Sequence, residues 1–146
     1  MFVAYSRRDD VMVRTDFDRH LSLLRDQLLQ LGGLVEKAIV AAMDALERRD
    51  LEASQRIVDE DDIIDEMRVD LEERCIDLIA TQQPLAGDLR TLITVLHVAV
   101  ELERIGDYAE GIGKISVAMG EDIPIKPMDD LSLMAERSME MLKHSL

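Results

Sequence analysis

Glu103 and Asp107 stand four residues apart, late in a long helical pattern. Upstream, Leu89, Leu92, Leu96 and Ala99 alternate in steps of three and four, which places them on one helix face, and the next step on that face is Glu103. Asp107 follows one turn later, beside Glu103. Two carboxylates stacked on an apolar stripe need a partner, because uncompensated burial of charge is costly and pairing or metal coordination is the usual remedy. The preceding helical stretch repeats the feature. Its stripe of Ile57, Asp61, Ile64, Arg68, Leu71, Cys75 and Leu78 carries Asp61 in the seam, with Asp65 one turn on. Oxygen-rich clusters of this kind suit a divalent or trivalent ion such as iron, zinc, manganese or magnesium.

The elements that must position these residues follow from periodicity and punctuation. Residues 1–14 show no period and are expected to be a flexible leader. A first helix is predicted to start at Thr15 or Asp16, either of which can cap it. Its stripe of Phe17, Leu21, Leu24, Leu28, Leu31, Val35, Ile39, Ala42 and Leu46 ends at Arg49-Asp50. Gly32-Gly33 lies inside it and marks a kink or a close helix approach. The second helix runs from Leu51 to about Ala80, and Gln83-Pro84 breaks the chain, since proline fits poorly in a helix interior. The third runs from about Leu85 to Met119. Residues 120–128, with Pro124 and Pro127, form a linker, and a fourth helix spans 129–146. The fold class is all-α: an antiparallel three-helix bundle over 15–119 with an additional C-terminal helix. In such a bundle Asp61 lies about 20 residues before the Gln83-Pro84 break and Glu103 about 19 after it, so the two acidic pairs meet at one level. Glu36 lies close to the same height.

Composition narrows the functions. The 146 residues carry a formal net charge of −14, which argues against nucleic acid as a partner. Aromatics are 3% and Trp is absent, so the core is aliphatic. No apolar run reaches the length of a membrane span, so the chain is not an integral membrane protein. The single Cys75 sits on a helix stripe and is read as a core residue, and the expected compartment is the cytoplasm. No nucleophile–base arrangement or phosphate loop stands out, and no His follows a Glu by three as in di-iron bundles. His20 and His97 are read as surface or partly buried residues. The competing account of the carboxylates is a solvated acidic patch with Arg68, Arg90 and Arg104 as salt-bridge partners, and spacing leaves both accounts open. A carboxylate-bundle metalloenzyme and a metal-free helical interaction module are the alternatives to a regulatory protein.

The ordered motifs carry a resemblance. Leu31-Gly32-Gly33-Leu34-Val35-Glu36, then Asp61 and Asp65, then Gln83-Pro84 with Asp88-Leu89-Arg90, then Glu101-Leu102-Glu103-Arg104-Ile105-Gly106-Asp107 resemble the PhoU family over residues 15–146. The resemblance implies two tandem three-helix repeats, each with a Glu/Asp-x-x-x-Asp motif that can hold metal. Glu103 and Asp107 match that motif, and Asp61 and Asp65 match the acidic positions of the helix before it. It further implies a non-enzymatic adaptor that negatively controls phosphate uptake and phosphate-starvation signalling. Its implied partners are a phosphate-sensing histidine kinase and the ATPase of the phosphate ABC transporter. Residues 129–146 correspond to the first helix of an incomplete second repeat. Its apolar face is expected to lack a partner within the chain and to pair with a second copy as a homodimer.

Overall fold

Two left-handed residues and one glycine punctuate the chain. In the computed structural model, which describes residues 7–120 and 128–146, they divide it into α1 (Arg7–Arg48), α2 (Leu51–Gln82), α3 (Ala86–Met119) and α4 (Asp129–Ser145). Arg49 has φ 57°, and the Arg49 and Asp50 N–H groups donate back to the carbonyls of Leu46 (3.3 Å) and Ala45 (2.9 Å). This pair of bonds closes α1 in the Schellman manner. Asp50 then opens α2, its Oδ1 accepting from the Ala53 N–H at 2.8 Å. Gln83, at φ 46°, closes α2, and Pro84 keeps the chain from continuing it. Gly120 closes α3 at φ +61°, a conformation that costs glycine little.

The element order agrees with the sequence pattern except at the start. α1 begins at Arg7, not at Thr15 or Asp16, so residues 7–14 of the expected leader are helical. Nothing from Arg7 to Thr15 breaks a helix, and extension adds a bond per residue once a nucleus exists. The first six residues of that leader, and residues 121–127 of the expected linker, lie outside the described residues.

The three long helices pack pairwise as an antiparallel bundle. Side-chain pairs fix the directions: Gln27 of α1 donates to Asp70 of α2 at 3.2 Å, and Ser54 of α2 donates to Ser116 of α3 at 2.7 Å. The core is aliphatic. It joins Leu24, Leu31 and Val35 of α1, Ile64, Leu71 and Cys75 of α2, and Leu92, Val95, Ala99 and Leu102 of α3. The stripes predicted for α1 and α2 are the faces turned to the core, with Leu28, Leu46, Ile57, Asp61 and Arg68 only partly buried, but that of α3 is displaced. Its buried residues are Leu92, Val95, Ala99, Leu102, Gly106, Ala109, Gly113 and Ser116. This is an unbroken alternation of three and four that passes through Leu102 and Gly106, not Glu103 and Asp107. Glu103 is half-buried at the edge of the seam and Asp107 is exposed.

α4 finds a partner within the chain for part of its apolar face, while Leu131, Met134 and Met141 remain exposed as the sequence pattern implies. It runs antiparallel along α1, with Ser132 hydrogen-bonded to Glu47, Lys143 Nζ 2.6 Å from Glu36, and Leu146 lying over Gly32. Leu142 is buried in the common core, and Ala135 and Met139 pack against it. Gly32 supplies the room: a β-carbon there would collide with the end of the Leu146 side chain. Among the described residues no helix is long and apolar enough to cross a membrane.

Candidate metal centre

The seam between α2 and α3 changes character along its length. Toward the Gln83–Pro84 turn it is built from Leu71, Leu78, Leu92 and Val95, whereas toward the Arg49–Asp50 joint α3 presents Gly106, Ala109, Gly113 and Ser116. Small residues let two helix backbones approach closely. A β-carbon on Gly113 would sit 3.0 Å from the Ser54 carbonyl oxygen. One on Gly106 would sit 3.1 Å from Ile64 Cδ1 and 3.8 Å from Asp61 Oδ1. The acidic residues stand where the narrow part of the seam begins.

Here the carboxylates of Asp61, Asp65 and Asp107 each offer an oxygen within 4.8 Å of the other two. Asp61 and Asp65 are partly buried, one turn apart on α2, and Asp107 reaches across from α3. Glu103 is not within that trio. It lies on its flank, 3.8 Å from the Arg68 guanidinium, a separation that permits an ion pair but not a hydrogen bond. Arg68 is otherwise engaged with Glu72 at 2.8 Å. Of the other cations proposed from sequence, Arg104 pairs outward with Glu101 at 3.8 Å. Glu36 turns away from the site toward Lys143, and His20 bonds the Asp16 carbonyl at the far end of α1. His97 is exposed.

The electrostatics follow from burial and like charge. Asp61 is pushed up to about 6, first by burial and then by the charges of Glu110, Asp65 and Asp107. Asp61 also lines a cavity of about 210 Å³ that it shares with Leu34, Ala38, Ile57, Ile64 and Glu110. Glu103 is also raised, by burial and then by Asp107 and Asp65, while Arg68 pulls it back. The Oδ1 atom of Asp65 is fully enclosed and has no hydrogen-bond partner. A buried carboxylate oxygen without a donor, flanked by two more carboxylates, has the donor set of a hard or borderline cation. The residues therefore fit a metal ion: Asp61, Asp65 and Asp107 would hold it, with Glu103 beside them.

Two residues that sequence reasoning passed over belong to this place. Glu110 lies three residues beyond Asp107, and its charge weighs on Asp61 more than that of any other carboxylate. Lys114, one turn further, holds Glu110 at 2.5 Å. The Asp107-x-x-Glu110-x-x-x-Lys114 spacing, steps of three and four on one helix face, is the signal that could have revealed them.

Comparison with known proteins fits this architecture. A phosphate-specific transport system accessory protein PhoU homolog of Aquifex aeolicus is 36% identical over 128 residues, 88% of this chain and 58% of that protein. One of Clostridium acetobutylicum is 36% identical over 136 residues, 92% of this chain and 62% of that protein. The crystal structure of the phosphate transport system regulatory protein PhoU from Streptococcus pneumoniae superposes with a TM-score of 0.80 at 31% identity, covering 87% of this chain and 59% of that one. That of PhoU from Pseudomonas aeruginosa superposes with a TM-score of 0.82 at 30% identity, covering 87% and 61%. The chain spans between 58% and 62% of the length of these relatives. The PhoU domain model matches residues 28–116, from the middle of α1 through nearly all of α3 and across every acidic residue of the site, and the chain belongs to the PhoU family.

Proposed function

We propose that the chain is a regulatory adaptor of phosphate transport that restrains uptake and phosphate-starvation signalling when phosphate is plentiful. In this reading its partners are a phosphate-sensing histidine kinase and the ATPase of the phosphate ABC transporter, it works in the cytoplasm, and it has no catalytic activity of its own. Support comes from membership of the PhoU family and from relatives named as accessory proteins of the phosphate-specific transport system. The observation that carries the metal part is the convergence of the Asp61, Asp65 and Asp107 carboxylates to within 4.8 Å of one another, with the Oδ1 atom of Asp65 enclosed and unpartnered.

A bound divalent or trivalent ion supplies positive charge between two helices that otherwise present like charges to each other. The chain's own residues do the rest. Asp61 and Asp65 present two carboxylates from successive turns of α2, and Asp107 presents one from α3. The site then acts as a clamp across the α2–α3 seam. A clamp of that kind makes the surface offered to partners depend on metal, with no chemical step. Exposed Val100, Tyr108 and Ile115 on the outer side of α3, and Met134 and Met141 on α4, supply apolar contact area for another protein or a second copy.

The test has two arms. The whole chain and its Asp65→Asn/Asp107→Asn variant are used as bait in cells kept in high and low phosphate. Recovery of the kinase or the transporter ATPase by the wild-type chain in high phosphate, and less by the variant, is the expected result. Recovery of neither in both media refutes the adaptor reading. In parallel, elemental analysis and thermal melts with manganese, iron, zinc or magnesium examine the site: no bound ion and no shift with any of the four refutes the metal part.

A further inference from the structure

The cations facing the acidic cluster from every helix around it are few. From α2 comes Arg68, committed to Glu72 at 2.8 Å. From α3 comes Lys114, whose Nζ lies 2.5 Å from Glu110 Oε1 and within the electrostatic reach of Asp61 and Asp107. From α1, Lys37 stands on the rim of the cavity that Asp61 and Glu110 share. The Glu110–Lys114 pair is unequal: the Glu110 side chain is 20% exposed and that of Lys114 58%. A tucked-in carboxylate is held by an ammonium that sits mostly in water on a flexible four-carbon stem. Glu110 reaches the Asp61 side of the site because Gly106, one turn before it, has no side chain to stand between α3 and Asp61.

Building on the metal reading above, we propose that Lys114 is a tethered counter-cation that competes with metal for the Asp61–Glu110 flank of the site. Its displacement frees Glu110 to join Asp61, Asp65 and Asp107 as a ligand. The ammonium supplies one positive charge through three N–H donors on a single stem, whereas a divalent ion supplies two charges and takes lone pairs directly from several carboxylates. Its exposed stem lets it swing into solvent without unpacking the helix. Arg68 cannot take the same part, because its guanidinium is half-enclosed between Glu72 and Glu103. The pair gives the empty site a charge partner, so that the carboxylates stay ordered, and it sets a threshold on the metal concentration that fills the site.

The experiment compares Mn²⁺ binding by the chelator-treated whole chain with that of Lys114→Gln, Glu110→Gln, the double variant and Arg104→Gln, the last removing an equal charge that pairs outward. Lys114→Gln is expected to bind Mn²⁺ roughly two- to fivefold more tightly than wild type, the size of a screened surface charge interaction, and Arg104→Gln to change it less. In the double variant the gain disappears, because the freed ligand is gone. The metal-free melting temperature falls for Lys114→Gln and not for Arg104→Gln. An unchanged affinity in Lys114→Gln, or a gain that survives in the double variant, overturns the proposal while leaving the metal site standing. A wild-type chain that binds none of the four metals overturns the site and this proposal together.

Discussion

Replacing Asp61 with asparagine should make the metal-free protein more stable. Most changes to a half-buried polar residue destabilise, so the sign discriminates. Asp61 titrates near 6 in the fold against 3.8 in the unfolded chain. A raised carboxyl binds its proton more tightly when folded, so the fold carries no penalty well below 3.8. The penalty grows as pH rises from about 4 to 6 and is complete above that. At roughly 1.4 kcal/mol per pKa unit the ceiling is about 3 kcal/mol, and partial exposure of the carboxylate reduces it to about 1–2 kcal/mol. The amide of Asn keeps the shape and loses the charge. In urea melts with chelator at pH 8, Asp61→Asn should therefore gain about 1–2 kcal/mol, raising the midpoint by roughly 0.5–1 M. At pH 4.5 only about a third of that gain should remain, since the wild-type carboxyl is then protonated in the fold. With Mn²⁺ present the order should reverse, the wild type gaining and the variant not. A loss of stability at pH 8 without metal, or a gain that does not depend on pH, would mean that like-charge repulsion and burial are not what raises Asp61.

Four further outcomes follow from the packing. Gly113→Ala should destabilise by about 1–2 kcal/mol in thermal or urea melts, because its β-carbon meets the Ser54 carbonyl oxygen, which cannot move aside without α2. Gly111→Ala, which meets nothing within 4 Å, should stabilise by up to about 1 kcal/mol through helix propensity. Ser54→Ala alone should cost about 1–3 kcal/mol by stranding the buried Ser116 hydroxyl, and the double Ser54→Ala/Ser116→Ala chain should recover much of that, which a double-mutant cycle would measure. Leu142→Ala should remove about 2–3 kcal/mol from the docking of α4, seen as faster tryptic cleavage after Arg137 and Lys143 while the α1–α3 bundle stays resistant.

The helix order was legible because the chain punctuates itself with Asp50, Pro84 and Gly120. The face of α3 was not. Val95, Leu96, Val98, Ala99 and Val100 are all apolar, so stripes through Leu92–Leu96–Ala99 and through Leu92–Val95–Ala99 fit equally well, and only packing against Ile64 and Leu71 selects the second. The premise that drew attention to Glu103 and Asp107, acids on a buried stripe, was therefore one position off, although Asp107 does reach Asp61 and Asp65. The matching heights of the acidic pairs were legible, since they depend only on helical rise and the position of the turn. The docking of α4 was not, because it depends on Gly32 receiving Leu146 and on Glu36 meeting Lys143, contacts more than a hundred residues apart in sequence. Glu36 looked like a site residue by height, and its direction around α1 takes it to α4 instead.

The placement of the acids at the mouth of the narrow seam explains how like charges are held together across it. Carboxylates within 4.8 Å of one another push α2 and α3 apart, and Arg68 and Lys114 offset only part of that. What resists the push lies about two turns along, where Gly113 sits against the Ser54 backbone and the buried Ser54 hydroxyl donates to that of Ser116. The hydrogen bond and close contact involve none of the acidic side chains, so on the metal reading proposed above they would hold the ligands near binding geometry before an ion arrives. On the same reading, repulsion held against a rigid neighbour would be released on binding, without requiring the helices to travel. A seam of leucines at the same place would hold the backbones further apart, and the same three aspartates would not converge across it.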